Sequence, residues 1–169
     1  DWVADLAAFK PVQDVKCTDC DIETYAGPPL PPAMQTLWAS WEDRETQYVE
    51  PFKIFDNIYY VGIDWVAAYL LVTSDGLILI DSLYGNWIPT LAQNIRKLGF
   101  DPNDVKYVIN THGHFDHAGG SAFFQNLGAR IVMTEEDWQI TETKPDFAQF
   151  YASIPARDIV ANDGDAIVL

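Results

Sequence analysis

The chain has 169 residues and a formal net charge of −15, from 25 acidic against 10 basic side chains. Its length suits one domain with a real core, and a hydrophobic share of 49% marks a globular chain rather than a disordered one. No run is long and apolar enough to span a membrane, and acidity spread along the whole chain argues against a nucleic-acid partner, because phosphate binding needs a positive face.

Residues 1–40 read as an accessory strap or linker and residues 41–169 as the domain proper. Asp1-Trp2-Val3-Ala4-Asp5 lacks the basic start and apolar core of a signal peptide, which fits either a mature exported protein or a cytoplasmic one. Leu6, Ala7 and Phe9 predict a short amphipathic helix ended by Pro11. Cys17 and Cys20 form a lone C-x-x-C without the partners of a zinc ribbon or the strand context of a redox motif. A small disulfide of an exported protein is the leading reading, with free thiols or a metal role as alternatives. Gly27-Pro28-Pro29-Leu30-Pro31-Pro32 predicts a stiff polyproline-like stretch, better read as a strap packed on the domain than as a docking site. Trp38 and Trp41, three residues apart, would share a helical face and anchor it.

From Phe52 the pattern turns to strands. Phe52–Phe55 and Ile58–Val61 bracket the tight-turn pair Asp56-Asn57. Val66–Thr73 and Leu77–Ile80 bracket Ser74-Asp75-Gly76 as a second hairpin. Leu70-Leu71-Val72 and Leu77-Ile78-Leu79-Ile80 are continuous apolar runs, as in strands buried on both faces. One face would meet helices; the other needs a cover. Ile88, Leu91, Ala92, Ile95 and Leu98 recur at helical spacing, with Pro89 near the start and Gly99 past the end. Trp65, Tyr84 and Trp87 read as packing residues, with a place in a substrate cleft as the alternative.

Val105–Asn110 is a β-rich run that ends just before Thr111-His112-Gly113-His114-Phe115-Asp116-His117, which holds every histidine of the chain. Imidazole nitrogen and carboxylate oxygen are both zinc ligands, and four of them fall within six residues. His112 and His114 alternate and would point the same way, while Asp116 and His117 would face a second position beside the first. Two metals a few ångströms apart can share a hydroxide, a strong nucleophile at neutral pH. Loop histidines without a metal are the plain alternative, and they poorly explain three imidazoles and a carboxylate packed this tightly. Ala118-Gly119-Gly120 turns the chain, and residues 121–127 predict a helix closed by Gly128. The ligands thus lie in a loop at the C-terminal end of a strand, where α/β sheets place their sites. Ala129–Met133 is a further strand. Thr134 then starts a helix whose first-turn Glu135, Glu136 and Asp137 complement its dipole; they read as a solvated helix start, not a metal site.

Thr111 to Gly120, T-H-G-H-F-D-H-A-G-G, resembles the signature of the metallo-β-lactamase superfamily, in the form most similar to the third, histidine-only subclass of metallo-β-lactamases. Pro51–Gly62 resembles that subclass's opening hairpin, Gly76–Asp81 the superfamily's strand ending in a buried aspartate, and Asn162-Asp163-Gly164-Asp165 its D-G-D turn. The resemblance runs from about Trp41 to Leu169 and is most specific in the motif. It implies an α/β (α+β) fold, the αββα sandwich, of which this chain covers roughly the N-terminal half. It implies two zincs, with His112 and His114 on the first and Asp116 and His117 on the second, and with Asp116 orienting the bridging hydroxide. Asp81 would hold a ligand loop in place, or cap the turn at its strand end.

The resemblance also expects one more histidine per zinc beyond the D-G-D turn. Residues 164–169 read as the opening of a β-hairpin, so either a missing C-terminal half or a partner chain is expected to complete the site. The implied activity is that of a zinc hydrolase acting on a small molecule, a β-lactam first, by attack of a zinc-held hydroxide on the ring carbonyl. That activity implies antibiotic resistance and a periplasmic or secreted protein. A lactone or thioester hydrolase, and a non-catalytic zinc-binding fragment, are the alternatives.

Overall fold

The computed structural model describes residues 32–143 and 153–169. The helix expected near Leu6, the Cys17–Cys20 pair and the proline run up to Pro31 lie outside the described residues. Pro32, expected to continue that run, instead opens helix α1 (Pro32–Trp41), since proline's fixed φ suits a first helical turn. A single turn, α2 (Arg44–Gln47), follows, its N-cap Asp43 accepting a hydrogen bond from the Glu45 amide.

Strands β1 (Phe52–Phe55) and β2 (Ile58–Tyr60) form the predicted hairpin, with Asp56 at φ 40° in its turn. Strands β3 (Tyr69–Val72) and β4 (Leu77–Ile80) form the second, antiparallel to each other, and β3 pairs antiparallel with β2. Helix α3 (Ile88–Lys97) then crosses to β5 (Val105–Ile109), parallel to β4. Of its predicted stripe, Ile88, Leu91, Ala92 and Ile95 are buried and Leu98, just past its end, is half buried; Gly99 at φ 88° closes it in the left-handed region that favours glycine. The short turn α4 (Phe115–Ala118) and helix α5 (Ser121–Asn126) lead to parallel β6 (Arg130–Met133). Helix α6 (Glu135–Thr143) precedes β7 (Ile159–Val160), parallel to β6 and too short to be read in the sequence. The seven strands lie in chain order across one sheet, giving a mixed α/β fold.

Burial in this sheet alternates, where the apolar runs predicted burial of both faces. Leu70, Leu79, Val108 and Ile131 are cross-strand partners, and each is 0% exposed beneath the helices. The opposite row runs Phe52, Tyr60, Tyr69, Ile80 and Ile109. There Phe52 and Tyr69 are exposed and Tyr60, Ile80 and Ile109 only half buried. Leu71, Ile78 and Tyr107 in the next row are also half buried. The second face therefore has the composition of a core without its cover, as the sequence expected of an open face. Residues 164–169 form no strand: Asn162–Asp165 makes the expected turn around Gly164 at φ 88°, and no ladder partner follows it among the described residues.

In this chain, Leu79→Ala is expected to lower unfolding stability by about 2–5 kcal/mol in a urea titration, because it opens a cavity in the closed face. Ile78→Ala, on the open face, should cost about half of that or less. Equal losses would mean that the second face is packed as tightly as the first.

Candidate metal centre

The parallel strands β4, β5 and β6 end at the same edge of the sheet, and the motif loop springs from the end of β5 between them. Residues 111–114 bend. His114 then takes the N-cap position of α4 with extended backbone, and the amides of His117 and Ala118 bond back to its carbonyl. This single turn throws the three imidazoles together. The His112 ring lies 4.1 Å from that of His117 and 4.8 Å from that of His114 between centroids. Ligand atoms of His112, Asp116 and His117 all lie within 4.8 Å of one another, the one such grouping among the described residues. This tightest set crosses the pairing that the resemblance implies, taking His112 with Asp116 and His117. His114 flanks it and is the most exposed of the three histidines.

Asp81 underlies this cluster. It ends β4 at φ 61° and is 4% exposed. Its Oδ1 accepts from the Thr111 amide at 2.7 Å, both oxygens lie within reach of the Thr111 hydroxyl, and Oδ2 stands 2.8 Å from His117 Nδ1. With a carboxylate on Nδ1, the ring places its proton there and leaves Nε2 for a metal, the usual arrangement behind a ligating histidine. The turn-capping alternative for Asp81 is therefore the lesser part of its role. The His117 carbonyl is fixed in turn by the Ser82 amide at 2.7 Å and the Ser82 hydroxyl at 3.0 Å. Ser82 Oγ also meets Ser121 Oγ, which accepts from Asn110 Nδ2, and all three residues are buried. Gly120 lets this loop close: a Cβ there would stand 2.2 Å from the Ser82 carbonyl oxygen.

The electrostatics suit a cation. Burial disfavours a charged His117, but the bond and charge of Asp81, with Asp116 behind them, outweigh it and raise the ring's pKa. Burial lowers the pKa of His112, helped by its two neighbouring imidazoles and opposed by Asp116 and Asp81. Three imidazoles and a carboxylate, one ring already oriented from behind, make a donor set that fits a zinc-type ion.

An aromatic cluster walls one side. Trp41 of α1 stacks on Trp65 of the β2–β3 loop at 4.4 Å and 9°. Trp38, 5.4 Å from Trp41, reaches Phe115 inside the motif at 5.9 Å. The two tryptophans share a face and anchor α1, as their spacing predicts. Tyr84 and Trp87 are 0% and 1% exposed, so they line no open cleft. Tyr84 packs edge-on to Phe115 and Trp65 and accepts from Trp65 Nε1. Burial, above all, pushes its phenol up to about 12. Trp65 is half exposed, and its amide donates to the Gln47 side chain.

Comparison with known proteins meets this geometry. The family model of the metallo-beta-lactamase superfamily matches residues 63–169, well over half of the chain. The chain belongs to the metallo-beta-lactamase superfamily. Among solved structures, BJP-1, a subclass B3 metallo-beta-lactamase of Bradyrhizobium japonicum, superposes with a TM-score of 0.67 at 36% identity, over 76% of this chain and 51% of that one. A metallo-beta-lactamase type 2 of Elizabethkingia meningoseptica is 33% identical over 102 residues, covering 54% of this chain and 40% of that protein. An N-acyl homoserine lactonase of Bacillus thuringiensis is 30% identical over 93 residues, covering 41% of this chain and 37% of that protein. The chain therefore spans about half the length of the solved structure and less of these curated relatives. The superfamily is one of metal-dependent hydrolases, and this mixed α/β fold matches about half of the solved BJP-1 chain.

Within this superfamily fold, two supports escaped the sequence reading. The Ser82–Ser121–Asn110 chain carries no pattern of its own. Asp137, read as part of a solvated acidic cluster, instead accepts the Gly113 amide at 2.9 Å; the spacing Thr134-x-x-Asp137, that of a capping box, was the available signal.

Asp81→Ala is expected to weaken zinc affinity by roughly 10–100-fold in a chelator competition, since it frees the Thr111 amide and the His117 ring. In the metal-free chain the same change should lower the His117 pKa followed by NMR, because burial then acts unopposed. The sign for stability follows. A raised folded-state pKa contributes stability below the unfolded value, lost as pH rises through the folded one, so the variant should lose most of its His117-linked stability at the acid end. An unmoved titration would refute the Asp81 account.

Proposed function

We propose that the intact protein is a zinc-dependent hydrolase that opens β-lactam rings. The observation that carries the proposal is the convergence of His112, Asp116 and His117, with His114 beside them, over a buried Asp81 already bonded to His117. By the family pattern His112 and His114 would hold one zinc and Asp116 and His117 a second, with the remaining ligands supplied from outside these 169 residues. Zinc, when bound, acidifies water and polarises a carbonyl. Asp116, 3.4 Å from His117 Nε2, would orient the attacking water and take its proton, and Asp81 at His117 Nδ1 would hold that ring in one tautomer. Residues 41–169 would be the N-terminal part of an αββα sandwich, whose second half covers the open face of the sheet, and residues 1–40 an accessory strap. A periplasmic or secreted location, where a Cys17–Cys20 disulfide would persist, belongs to the same reading.

The likeness to BJP-1, over three quarters of the chain, supports the β-lactam over other substrates. A second reading, lactone hydrolysis, is supported by the likeness to N-acyl homoserine lactonases. The test is turnover of nitrocefin and of an N-acyl homoserine lactone by the full-length polypeptide, before and after chelation. Nitrocefin turnover is expected, lost with zinc and restored by it, and lowered at least ~100-fold by Asp116→Ala or His112→Ala. Lactone turnover alone would select the second reading, and turnover that survives removal of zinc would sink both.

A further inference from the structure

We propose that Asp137, on helix α6, is a positioning residue for the metal centre: it carries the backbone between His112 and His114 and so ties the aim of both imidazoles to that helix. The inference rests on the metal-site reading above. Gly113 joins the two histidines, and its amide donates to Asp137 Oδ1 at 2.9 Å. The other oxygen, Oδ2, accepts from the Thr134 hydroxyl at 2.6 Å, so the carboxylate is held at both ends. A carboxylate accepting from a backbone amide is a stronger and more directional hold than a neutral acceptor.

The approach is closer than a side-chain contact alone requires. A Cβ on Gly113 would stand 2.3 Å from the Asp137 carbonyl oxygen and 3.0 Å from Thr141 Oγ1. Helix and loop therefore touch backbone to backbone, and glycine at 113 is what permits it. Thr141, one turn further on and buried, bonds the Asp137 carbonyl at 2.9 Å and lies 3.4 Å from the Gly113 carbonyl. The rotation of α6 is set independently. Trp138, the next residue, is 0% exposed, and its Nε1 donates to the Ile159 carbonyl of β7 at 2.9 Å. The cap accounts for Oδ2 and for the Asp137 amide, which the Thr134 hydroxyl accepts at 3.3 Å, but not for Oδ1, which turns to Gly113. Asp81 fixes Thr111 and His117 from one side, and Asp137 fixes Gly113 from the other, so the ligand loop is gripped across its width.

The test uses the full-length polypeptide with two readouts: affinity for cobalt(II) or zinc by chelator competition, and hydrogen exchange of the Gly113 amide in the metal-free protein. Asp137→Ala is expected to weaken metal binding roughly 10–100-fold and to speed Gly113 exchange about tenfold or more. Asp137→Asn, whose carbonyl oxygen still accepts, should restore most of both. Glu136→Ala, on the exposed surface of the same helix turn, should change metal affinity less than about threefold. If Asp137→Ala does not fold, Asp137→Ser, too short to reach Gly113, carries the same comparison. Unchanged Gly113 exchange in Asp137→Ala, or a metal loss matched by Glu136→Ala, overturns the proposal. A wild-type protein that binds no metal would remove the metal-site reading itself, and the metal-free exchange would still decide the clamp.

Discussion

Everything about this site turns on one buried carboxylate. Asp81 accepts from Thr111, thirty residues further along the chain, and from His117, and so joins the end of β4 to the loop after β5. The local backbone is strained to allow it. Asp81 and Leu83 both take positive φ, 61° and 56°, each at a cost of about 1–3 kcal/mol. The strain persists because the loop is over-determined. Asp81 N–H reaches the Ile109 carbonyl, Ser82 N–H the His117 carbonyl, and Gly120 N–H the Leu83 carbonyl. Each of these bonds ties the strained segment to the end of β5, to the motif loop or to the turn that follows it.

The fold supplies what that carboxylate needs. Parallel pairing of β4, β5 and β6 brings three loop edges to one side, and the core of Leu70, Leu79, Val108 and Ile131 keeps the strands from sliding. Helices reach the site from two directions. α6 meets the motif backbone at Gly113, while α1 meets it through the ring of Phe115. A ligand loop held only by its own chain would sample many imidazole orientations. Here polar bonds on one side and ring contacts on the other leave few.

Much of this was legible in the residues. The two hairpins were carried by turn chemistry at Asp56-Asn57 and Ser74-Asp75-Gly76, α3 by its apolar period, and the ligand loop by histidine and aspartate spacing. Each is a local signal, readable without knowing the fold. What escaped was settled by tertiary contact. β7 is two residues long and exists because β6 offers an edge. Tyr84 and Trp87 are buried, as their reading as packing residues had it; only their partner, the Trp41 carbonyl over forty residues away, had no local signature. In the sequence Asp137 looked like its neighbours Glu135 and Glu136, and only the passage of Gly113 beside it gives it another role. The apolar runs of β3 and β4 correctly signalled two faces seeking cover, of which the described residues close one.

The strand order has a consequence for how the protein is made. Every strand pairs with the one that precedes it in the chain, from β1 through to β7. Among the described residues no strand waits for a later one before it can pair, so the entropic cost of each step stays low. As the polypeptide leaves the ribosome, the sheet can therefore grow one strand at a time from its first hairpin. The Asp81 anchor is complete once the motif loop has emerged. The three imidazoles are then gathered before α6 and β7, which follow in the chain, have formed.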